Sequence, residues 1–274
     1  MKYAQKIKLI ALDLDDTTLR SDASLSPAVE AAIRRAISAG IEIVIASGRS
    51  FKSLPKSVLG IDGIRYAITS NGAAVCSVPD GKRLVSCVLG ESSVREMLSV
   101  FRGELLETFI DGQAYCDRRY IADPAAYGCM PAYVDYVRTT RLPIDDMPSF
   151  ILENIDRLDS IDVLCDRLTR APLREKAEKE IRGVYVTSSS PRLIELADKN
   201  AGKAAGLRSV CELLGVSPEN CAAFGNGDND ADMLRFAGLG VAVANASKLC
   251  LEAADLIGPS NNDDCVAKIF EQII

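Results

Sequence analysis

Short apolar runs alternate with amphipathic stretches in the first part of the chain. The runs at 7–12, 41–46 and 66–69 are rich in Ile, Val, Leu and Ala, a pattern typical of strands buried on both faces. Between the first two runs, Ser26 and Pro27 form an N-cap and first-turn pair, and a helix is predicted up to Gly40. This repetition of strand and helix predicts a parallel sheet with helical crossovers.

The repeating pattern stops after residue 73. "AAVCSV" and "KRLVSCV" flank a Pro-Asp-Gly turn and predict a hairpin. A helix ending at Gly60 is expected before this hairpin. After the hairpin, helices are expected at 93–102 and 173–182, among strand-like segments such as "LETFI", "QAYCD" and "SIDVLCD". The parallel pattern resumes with a predicted helix at 203–214 and the strand "CAAFGN".

We therefore predict an α/β fold with two units. Residues 1–82 and 191–274 are expected to form a Rossmann-like three-layer core around a parallel sheet. Residues 83–190 are expected to form an inserted α+β domain.

Composition and charge exclude several classes of function. The chain has 274 residues, of which 48% are hydrophobic and 26% charged, and its net charge is −6. This balance suits a globular protein and disfavours nucleic-acid and anionic membrane partners. No apolar run approaches the roughly 20 residues of a membrane-spanning helix, and the first residues do not have the pattern of a signal peptide. We expect a cytoplasmic protein, and a monomer or a homodimer.

Two residue types restrict the possible chemistry further. The nine cysteines include no CxxC pair, so we interpret them as buried, reduced thiols. The chain contains no histidine, which excludes Ser-His and Cys-His nucleophile systems and any histidine general base. Catalysis would have to use carboxylates, hydroxyls, lysine, arginine and a hard cation.

Polar side chains follow the predicted strands of the core. Asp13 and Asp15 follow the first strand, Ser47 follows the second, and Lys203 opens a helix. A further acidic loop at 225–230 follows the strand "CAAFGN". Each polar strand end alone is explained as well by an ordinary turn. Together they are expected at one edge of the sheet, where carboxylates suit Mg²⁺ and a hydroxyl, backbone N–H groups and lysine suit a phosphate.

Four motifs in order give the chain a resemblance to a known family. They are "DLDDTTL" from Asp13, "ASGR" at 46–49, Lys203 in "NAGKAAGL", and "GNGDNDADML" from Gly225. With these motifs the chain resembles the haloacid dehalogenase superfamily, specifically the Cof-type phosphatases with a large C2 (type IIB) cap. The segments "SNGAAV" and "VAVANA" are also similar to that family.

The resemblance implies a catalytic mechanism. Asp13 would attack phosphorus and form an aspartyl-phosphate, and Asp15 would protonate the leaving group and then activate water. Lys203 would stabilise charge on the phosphate, and Mg²⁺ would be the cofactor. The substrate would be a small phosphorylated metabolite, either a sugar phosphate or a phosphorylated cofactor, whose leaving group is recognised by the inserted domain.

The resemblance also implies two sets of binding residues. For Arg49 two roles remain open, contact with the substrate or a pair with a core carboxylate. The substrate-binding set is Ser47, Gly48, Arg49, Asn71 and Asn229, and the metal set is Asp13, Asp15, Asn226 and Asp230.

One position departs from the family pattern. Where relatives have a metal-binding aspartate after the glycine of the fourth motif, this chain has Asn226. An amide offers a carbonyl oxygen but removes one negative charge from the site, and Asp228 would compensate only along a different loop path. The leading function is a Mg²⁺-dependent phosphatase. The alternatives are a phosphometabolite-binding protein with a weakened site and a sugar phosphomutase of the same superfamily.

Overall fold

The strands are divided between two sheets. The structure is a computed structural model, and residues 7–274 are described. The strands are β1 (Leu9–Leu12), β2 (Glu42–Ala46), β3 (Tyr66–Thr69), β4 (Ala74–Ser77), β5 (Arg83–Ser86), β6 (Leu105–Ile110), β7 (Gln113–Asp117), β8 (Arg141–Ile144), β9 (Leu158–Leu164), β10 (Val184–Thr187), β11 (Leu193–Asp198), β12 (Cys221–Gly225), β13 (Leu239–Ala242) and β14 (Leu256–Ile257).

Helices connect the strands. The α-helices are α1 (Pro27–Ser38), α2 (Lys56–Leu59), α3 (Glu91–Val100), α4 (Arg118–Ala122), α5 (Pro131–Thr140), α6 (Met147–Glu153), α7 (Arg167–Glu180), α8 (Lys203–Leu214), α9 (Ala231–Phe236), α10 (Lys248–Ala253) and α11 (Cys265–Ile273). Short helical turns occupy Leu14–Thr18, Phe51–Ser53, Ser70–Gly72, Ala125–Tyr127, Pro218–Asn220, Asp228–Asp230 and Asn261–Asp263.

The larger sheet forms the core and has the order β14-β13-β12-β1-β2-β3-β4-β5. Its pairs are parallel from β14 to β3, while β4 and β5 are added as antiparallel strands. Helices cover both faces because successive side chains of a strand point to opposite sides. On β1, Ile10 packs in a cluster with α1 and α11, and Leu9 packs in a cluster with α8 and α9. The α/β prediction, with three layers around a parallel sheet, is confirmed.

The smaller sheet has the order β10-β11-β9-β6-β7-β8 and is antiparallel except between β7 and β8. One face packs against α3, α6 and α7 through a cluster that includes Val94, Met97, Ile151 and Ile161. We call this unit, residues 89–198, the cap.

The division between the two units differs from the expected one. The boundaries expected at 82/83 and 190/191 each fall one strand too early. Strand β5 pairs with β4 in the core sheet, because the tight turn holds the two strands of the hairpin together. Strand β11 pairs with β9 in the cap sheet.

Prolines account for two differences in the predicted helices. The helix expected to reach Gly60 is reduced to the turn Phe51–Ser53 and the four-residue α2, because the residue before Pro55 is extended and ends the helical path. The helix expected at 173–182 begins instead at Arg167, since Asp166 caps it and Pro172 is accommodated inside it. The Ser26 cap of α1 is confirmed, with Ser26 Oγ accepting a hydrogen bond from Val29 N.

Two expectations about the whole chain can be compared with the structure. Within residues 7–274, no helix has both the length and the apolar character to cross a membrane. All nine cysteines are free thiols; seven are buried, and Cys87 and Cys129 are partly exposed.

Candidate active site

The parallel strands bring three chain segments to one edge of the core sheet. Leu12 on β1 is in register with Phe224 on β12 and with Ile45 on β2. The residues that follow these strands therefore meet at their carboxyl ends. Asp13 lies at the centre of this edge.

Asp13 is held from one side only. Its side chain is 7% exposed, and Oδ1 accepts a hydrogen bond of 2.6 Å from Lys203 Nζ. Asp13 Oδ2 is buried and has no hydrogen-bond partner among residues 7–274. The main chain is fixed by Thr18, whose Oγ1 donates to Asp13 O over 2.5 Å. One carboxylate oxygen is thus anchored and the other is available to a ligand.

Lys203 lies between two buried carboxylates. Its Nζ is 2.7 Å from Asp230 Oδ1 as well as 2.6 Å from Asp13 Oδ1. Burial acts to lower the pKa of Lys203, but the two carboxylates overcome this effect and raise it. Burial and the charge of Asp230 raise the pKa of Asp13 to about 7, against the opposing effect of Lys203. When all three side chains are ionised, Asp13, Asp230 and Lys203 together have one net negative charge.

The loop after β12 is organised by Asp230. Asp230 Oδ2 accepts hydrogen bonds from the amides of Asn226 and Gly227, at 3.0 and 2.9 Å. Asn226 lines the cavity beside Asp13, and its Oδ1 accepts a hydrogen bond of 3.0 Å from Thr17 Oγ1. Asp228 does not line the cavity and instead lies 3.8 Å from a cap arginine, Arg174. It is therefore not placed to replace the charge that Asn226 lacks.

The loop after β2 supplies polar groups next to Asp13. Ser47 is 1% exposed, and its Oγ accepts from Arg49 N over 3.1 Å. Asn71 N donates to Ser47 O over 3.2 Å. Asn71 Oδ1 in turn accepts from Asn229 Nδ2 over 2.9 Å. Gly48 and Asn229 line the same cavity as Asp13, so the predicted substrate-binding residues are brought together.

Arg49 pairs with a core carboxylate. Its Nε and Nη2 lie 2.8 and 2.5 Å from the two oxygens of Asp15. The guanidinium carbon also lies 4.0 Å from the centroid of the Tyr136 ring, which belongs to cap helix α5. The contact with a core carboxylate, one of the two expected roles of Arg49, is present, and Arg49 also lines the cavity in which a substrate would bind.

A cavity of about 290 Å³ separates these core residues from the cap. Its lining includes cap residues that the sequence analysis missed, namely Glu107, Phe109, Tyr133, Tyr136, Asp162 and Glu195. The signal that was available is a single acid within each of the apolar strands "LETFI", "SIDVL" and "LIELA". An acid at such a position faces a ligand or a partner more often than it faces a core.

The donor set at the edge of the sheet suits Mg²⁺. The unpartnered oxygen Asp13 Oδ2 and the side-chain carbonyl of Asn226 are oxygen donors lining one cavity, the ligand type that Mg²⁺ prefers. Asp230 and Asn226 are less available than Asp13 Oδ2, because both oxygens of Asp230 and the side-chain oxygen of Asn226 already accept hydrogen bonds. Among the described residues, no group of three acidic, histidine or cysteine side chains is arranged to hold a metal. The residues therefore fit a site with few protein ligands, as is usual for Mg²⁺ bound together with a phosphate.

Known proteins are similar to this chain over most of its length. One relative is the 5-amino-6-(5-phospho-D-ribitylamino)uracil phosphatase YcsE of Bacillus subtilis, 29% identical over 279 residues, covering 96% of this chain and 94% of that protein. The solved structure of a haloacid dehalogenase-like hydrolase from B. subtilis has a TM-score of 0.84 and 25% identity, covering 98% of this chain and all of that one. A subclass IIB sugar phosphatase of the superfamily has the same fold, with a TM-score of 0.84, 19% identity, and coverage of 97% and 100%.

The family model agrees with these comparisons. A model described as haloacid dehalogenase-like hydrolase matches residues 10–270, which include the core sheet, the cap and every residue around Asp13. The family inferred from the four motifs is confirmed, and the chain belongs to the haloacid dehalogenase-like hydrolases.

Proposed function

We propose that this hydrolase is a Mg²⁺-dependent phosphatase that cleaves a small phosphate monoester through an aspartyl-phosphate. The observation that carries the proposal is the asymmetry of Asp13, whose Oδ1 is fixed by Lys203 while Oδ2 is buried and unpartnered. A nucleophile needs such a free oxygen, and it needs a neighbouring cation to let it approach a phosphate dianion.

In the first step Asp13 Oδ2 forms a bond to phosphorus, and the bond from phosphorus to the ester oxygen breaks. Asp15 gives its proton to the departing oxygen, which leaves with the bonding electrons. In the second step water attacks phosphorus, Asp15 takes the proton of that water, and the bond from Asp13 to phosphorus breaks to release inorganic phosphate. The two hydrogen bonds from Arg49 hold Asp15 in place between these two proton transfers, when its carboxylate is ionised.

The remaining polar groups have binding roles. Ser47 Oγ and the Gly48 N–H are assigned to the phosphate oxygens, and Lys203 stabilises the charge that develops on them. Asp13, Asp230, the Asn226 carbonyl and the main chain of Asp15 would hold Mg²⁺, which would supply charge neutralisation between the carboxylate and the phosphate.

Substrate class and cellular location belong to the same proposal. A cavity of about 290 Å³ suits the leaving group of a small metabolite, such as a sugar phosphate or a phosphorylated cofactor.

Nine free thiols are typical of a reducing compartment, and we propose that the protein is located in the cytoplasm.

The test is hydrolysis of p-nitrophenyl phosphate with added Mg²⁺, compared with the same assay in EDTA and with the Asp13→Asn variant. We expect activity only in the wild type with Mg²⁺, together with an acid-stable or rapidly trapped phosphate adduct on the peptide containing Asp13. Full activity in EDTA, or in Asp13→Asn, would overturn the proposed mechanism.

Asn226 supports one competing function, a phosphometabolite-binding protein with a weakened site. This alternative predicts tight binding of a phosphate ester without turnover in the wild type. Turnover that appears only after Asn226→Asp would favour it over the phosphatase.

A further inference from the structure

Three acidic residues form a row across the centre of the cap sheet. Glu107 on β6 is in register with Asp162 on β9, which is in register with Glu195 on β11. All three line the cavity next to Asp13, and each is between 3% and 4% exposed. We call Glu107, Asp162 and Glu195 the acidic row.

The charges of this row are incompletely compensated. Like charges opposite one another on neighbouring strands destabilise a sheet, and buried carboxylates require partners. Glu107 is paired with Arg141 over 2.9 Å. Glu195 accepts hydrogen bonds from Asn71 Nδ2, at 3.0 Å, and from the Ser189 amide.

Asp162 makes no ion pair among residues 7–274, although the Ser160 side chain and the charge of Arg141 partly favour its ionised form. Its Oδ1 is buried without a hydrogen-bond partner among residues 7–274. Burial and then the charges of Glu195 and Glu107 raise its pKa well above the ordinary value. Arg167 and Arg192 also line the cavity, but Arg167 is exposed and Arg192 pairs with Asp166 at 3.5 Å. A donor is therefore missing at the middle of the row.

One end of the row touches the proposed phosphate-binding loop. A β-carbon built on Gly48 would lie 3.1 Å from Glu195 Oε1, and Asn71 joins Glu195 to the residues after β3. Neighbouring strands are about 4.8 Å apart. Asp162 and Glu107 thus lie roughly 5 and 10 Å from Glu195 along the row. A leaving group that extends away from the phosphate would lie along the acidic row.

Aromatic side chains form another part of the same cavity lining. Tyr133 and Tyr136 of α5 and Phe109 of β6 all line it. Tyr133 Oη is a second buried polar atom without a partner among the described residues. The Tyr136 ring already lies within 4.2 Å of Arg49 and Arg141. Aromatic faces together with carboxylates form the usual environment of a bound organic cation.

We propose that the acidic row is a leaving-group subsite that selects phosphate esters carrying a protonated amino group, with Asp162 as its direct partner. The inference rests on the proposed phosphatase function and adds the chemical class of its substrate. A hydroxyl would give Asp162 a hydrogen bond, but an ammonium group also compensates the charge of Asp162 and Glu195, the two acids of the row that make no ion pair among residues 7–274. An anionic leaving group would be repelled by the same row.

The test uses two esters that differ at one position, glucosamine 6-phosphate and glucose 6-phosphate. We expect the wild type to prefer the amino ester in kcat/KM by about tenfold or more, the value of one charge-assisted hydrogen bond. Asp162→Asn should remove this preference by lowering kcat/KM for the amino ester alone. Asp162→Ser serves as a second variant, and Asp159→Asn, on the same strand but outside the cavity lining, should keep the preference.

Hydrolysis of p-nitrophenyl phosphate separates this inference from the proposed function, because its leaving group has no amine. If the wild type does not hydrolyse it, the phosphatase proposal fails. The subsite is then tested by calorimetric binding of the same two sugar phosphates in EDTA, where the same preference and the same loss in Asp162→Asn are expected. A wild type that prefers glucose 6-phosphate, or equal losses for both esters in Asp162→Asn, would overturn the subsite.

Discussion

Arg49 donates two hydrogen bonds to the carboxylate of Asp15, with Nε 2.8 Å from Oδ2 and Nη2 2.5 Å from Oδ1. The same guanidinium lies 4.0 Å from the ring centroid of Tyr136 in the cap. The proposed general acid, the loop after β2 and the cap are therefore connected through one side chain. A planar guanidinium makes these contacts together, whereas an ammonium group cannot.

We expect Arg49→Lys to lower kcat/KM for p-nitrophenyl phosphate by roughly tenfold or more, since it removes one charge-assisted hydrogen bond and the stacked contact. The measurement is steady-state kinetics with saturating Mg²⁺. Arg65→Lys is the matched control, because Arg65 also binds a carboxylate, that of Glu42, but on the exposed surface. Equal activity of Arg49→Lys and the wild type would show that the pair with Asp15 has no catalytic consequence.

Lys203→Met should destabilise the protein by about 3 to 5 kcal/mol, because it leaves Asp13 and Asp230 as neighbouring buried carboxylates without a cation. The free energy of unfolding in urea measures this loss. Lys203→Met combined with Asp230→Asn removes one of the two negative charges and should recover part of the stability. A single variant as stable as the wild type would contradict the assigned charges.

Asn226→Asp should tighten Mg²⁺ by roughly tenfold. An added charge a few ångströms from the cation is worth on the order of a few kcal/mol before desolvation is subtracted, and about 1.4 kcal/mol is tenfold in binding. The half-saturating Mg²⁺ concentration of phosphatase activity is the quantity measured. Asn262→Asp, which is exposed and outside the cavity lining, should leave it unchanged. If both variants match the wild type, Asn226 is not a metal ligand.

The same asparagine precedes a glycine, a sequence that favours deamidation when the loop is mobile. Here the Gly227 amide, whose nitrogen would attack the side chain, donates a hydrogen bond of 2.9 Å to Asp230. We therefore expect aged protein to retain Asn226, as peptide mass analysis would measure. Conversion of Asn226 during storage, with a parallel gain in Mg²⁺ affinity, would show that this loop opens.

Gly72→Ala should reduce both stability and activity, whereas Gly40→Ala should reduce stability alone. Both glycines have a left-handed backbone, with φ of +87° and +83°, so alanine is strained by about 1 to 2 kcal/mol at either position. A β-carbon on Gly72 would also lie 2.0 Å from Gly202 O, directly before Lys203, while one on Gly40 has no atom within 4 Å.

Urea unfolding and kcat are compared for these two glycine variants. The displacement of the chain before Lys203 should lower kcat for Gly72→Ala only, because Lys203 contacts the nucleophile. If the two variants lose the same stability and keep the same kcat, the contact between Gly72 and Gly202 does not position Lys203.

Asp162 should make the protein less stable as the pH rises. Burial, followed by the charges of Glu195 and Glu107, raises the pKa of Asp162. At a pH between the ordinary aspartate pKa, near 4, and this raised pKa, Asp162 keeps its proton in the folded state and has released it in the unfolded state. This stabilisation is complete below the ordinary pKa and is lost as the pH rises through the raised one, with a slope of at most about 1.4 kcal/mol per pH unit.

Asp162→Asn cannot release a proton at this position, so its free energy of unfolding should depend less on pH than that of the wild type. The measurement is urea unfolding from about pH 4 to about pH 8. Asp62→Asn changes an exposed aspartate and serves as the control. Identical pH profiles for Asp162→Asn and the wild type would show that Asp162 ionises equally in the folded and unfolded states.

Much of the core site was predictable because it follows local rules. Asp13 and Ser47 each come directly after a buried strand, and parallel strands that are neighbours place their carboxyl ends together. Lys203 could be found for a related reason, since a lysine at the start of a helix is unfavourable without an anion nearby. The limits of the helices were less predictable around Pro55 and Pro172, where the surrounding chain decides whether a helix stops at a proline or continues through it.

The sequence by itself determined the family, the α/β core, the presence of an inserted domain and the residue types that chemistry without histidine can use. Only the tertiary structure decided that Arg49 binds Asp15, that Asp228 lies away from Asp13, and that the acids of three cap strands form one row. The physical reason is register. Each acid of the row lies within a largely apolar strand, and which charges become neighbours depends on strand pairings between segments far apart in the chain.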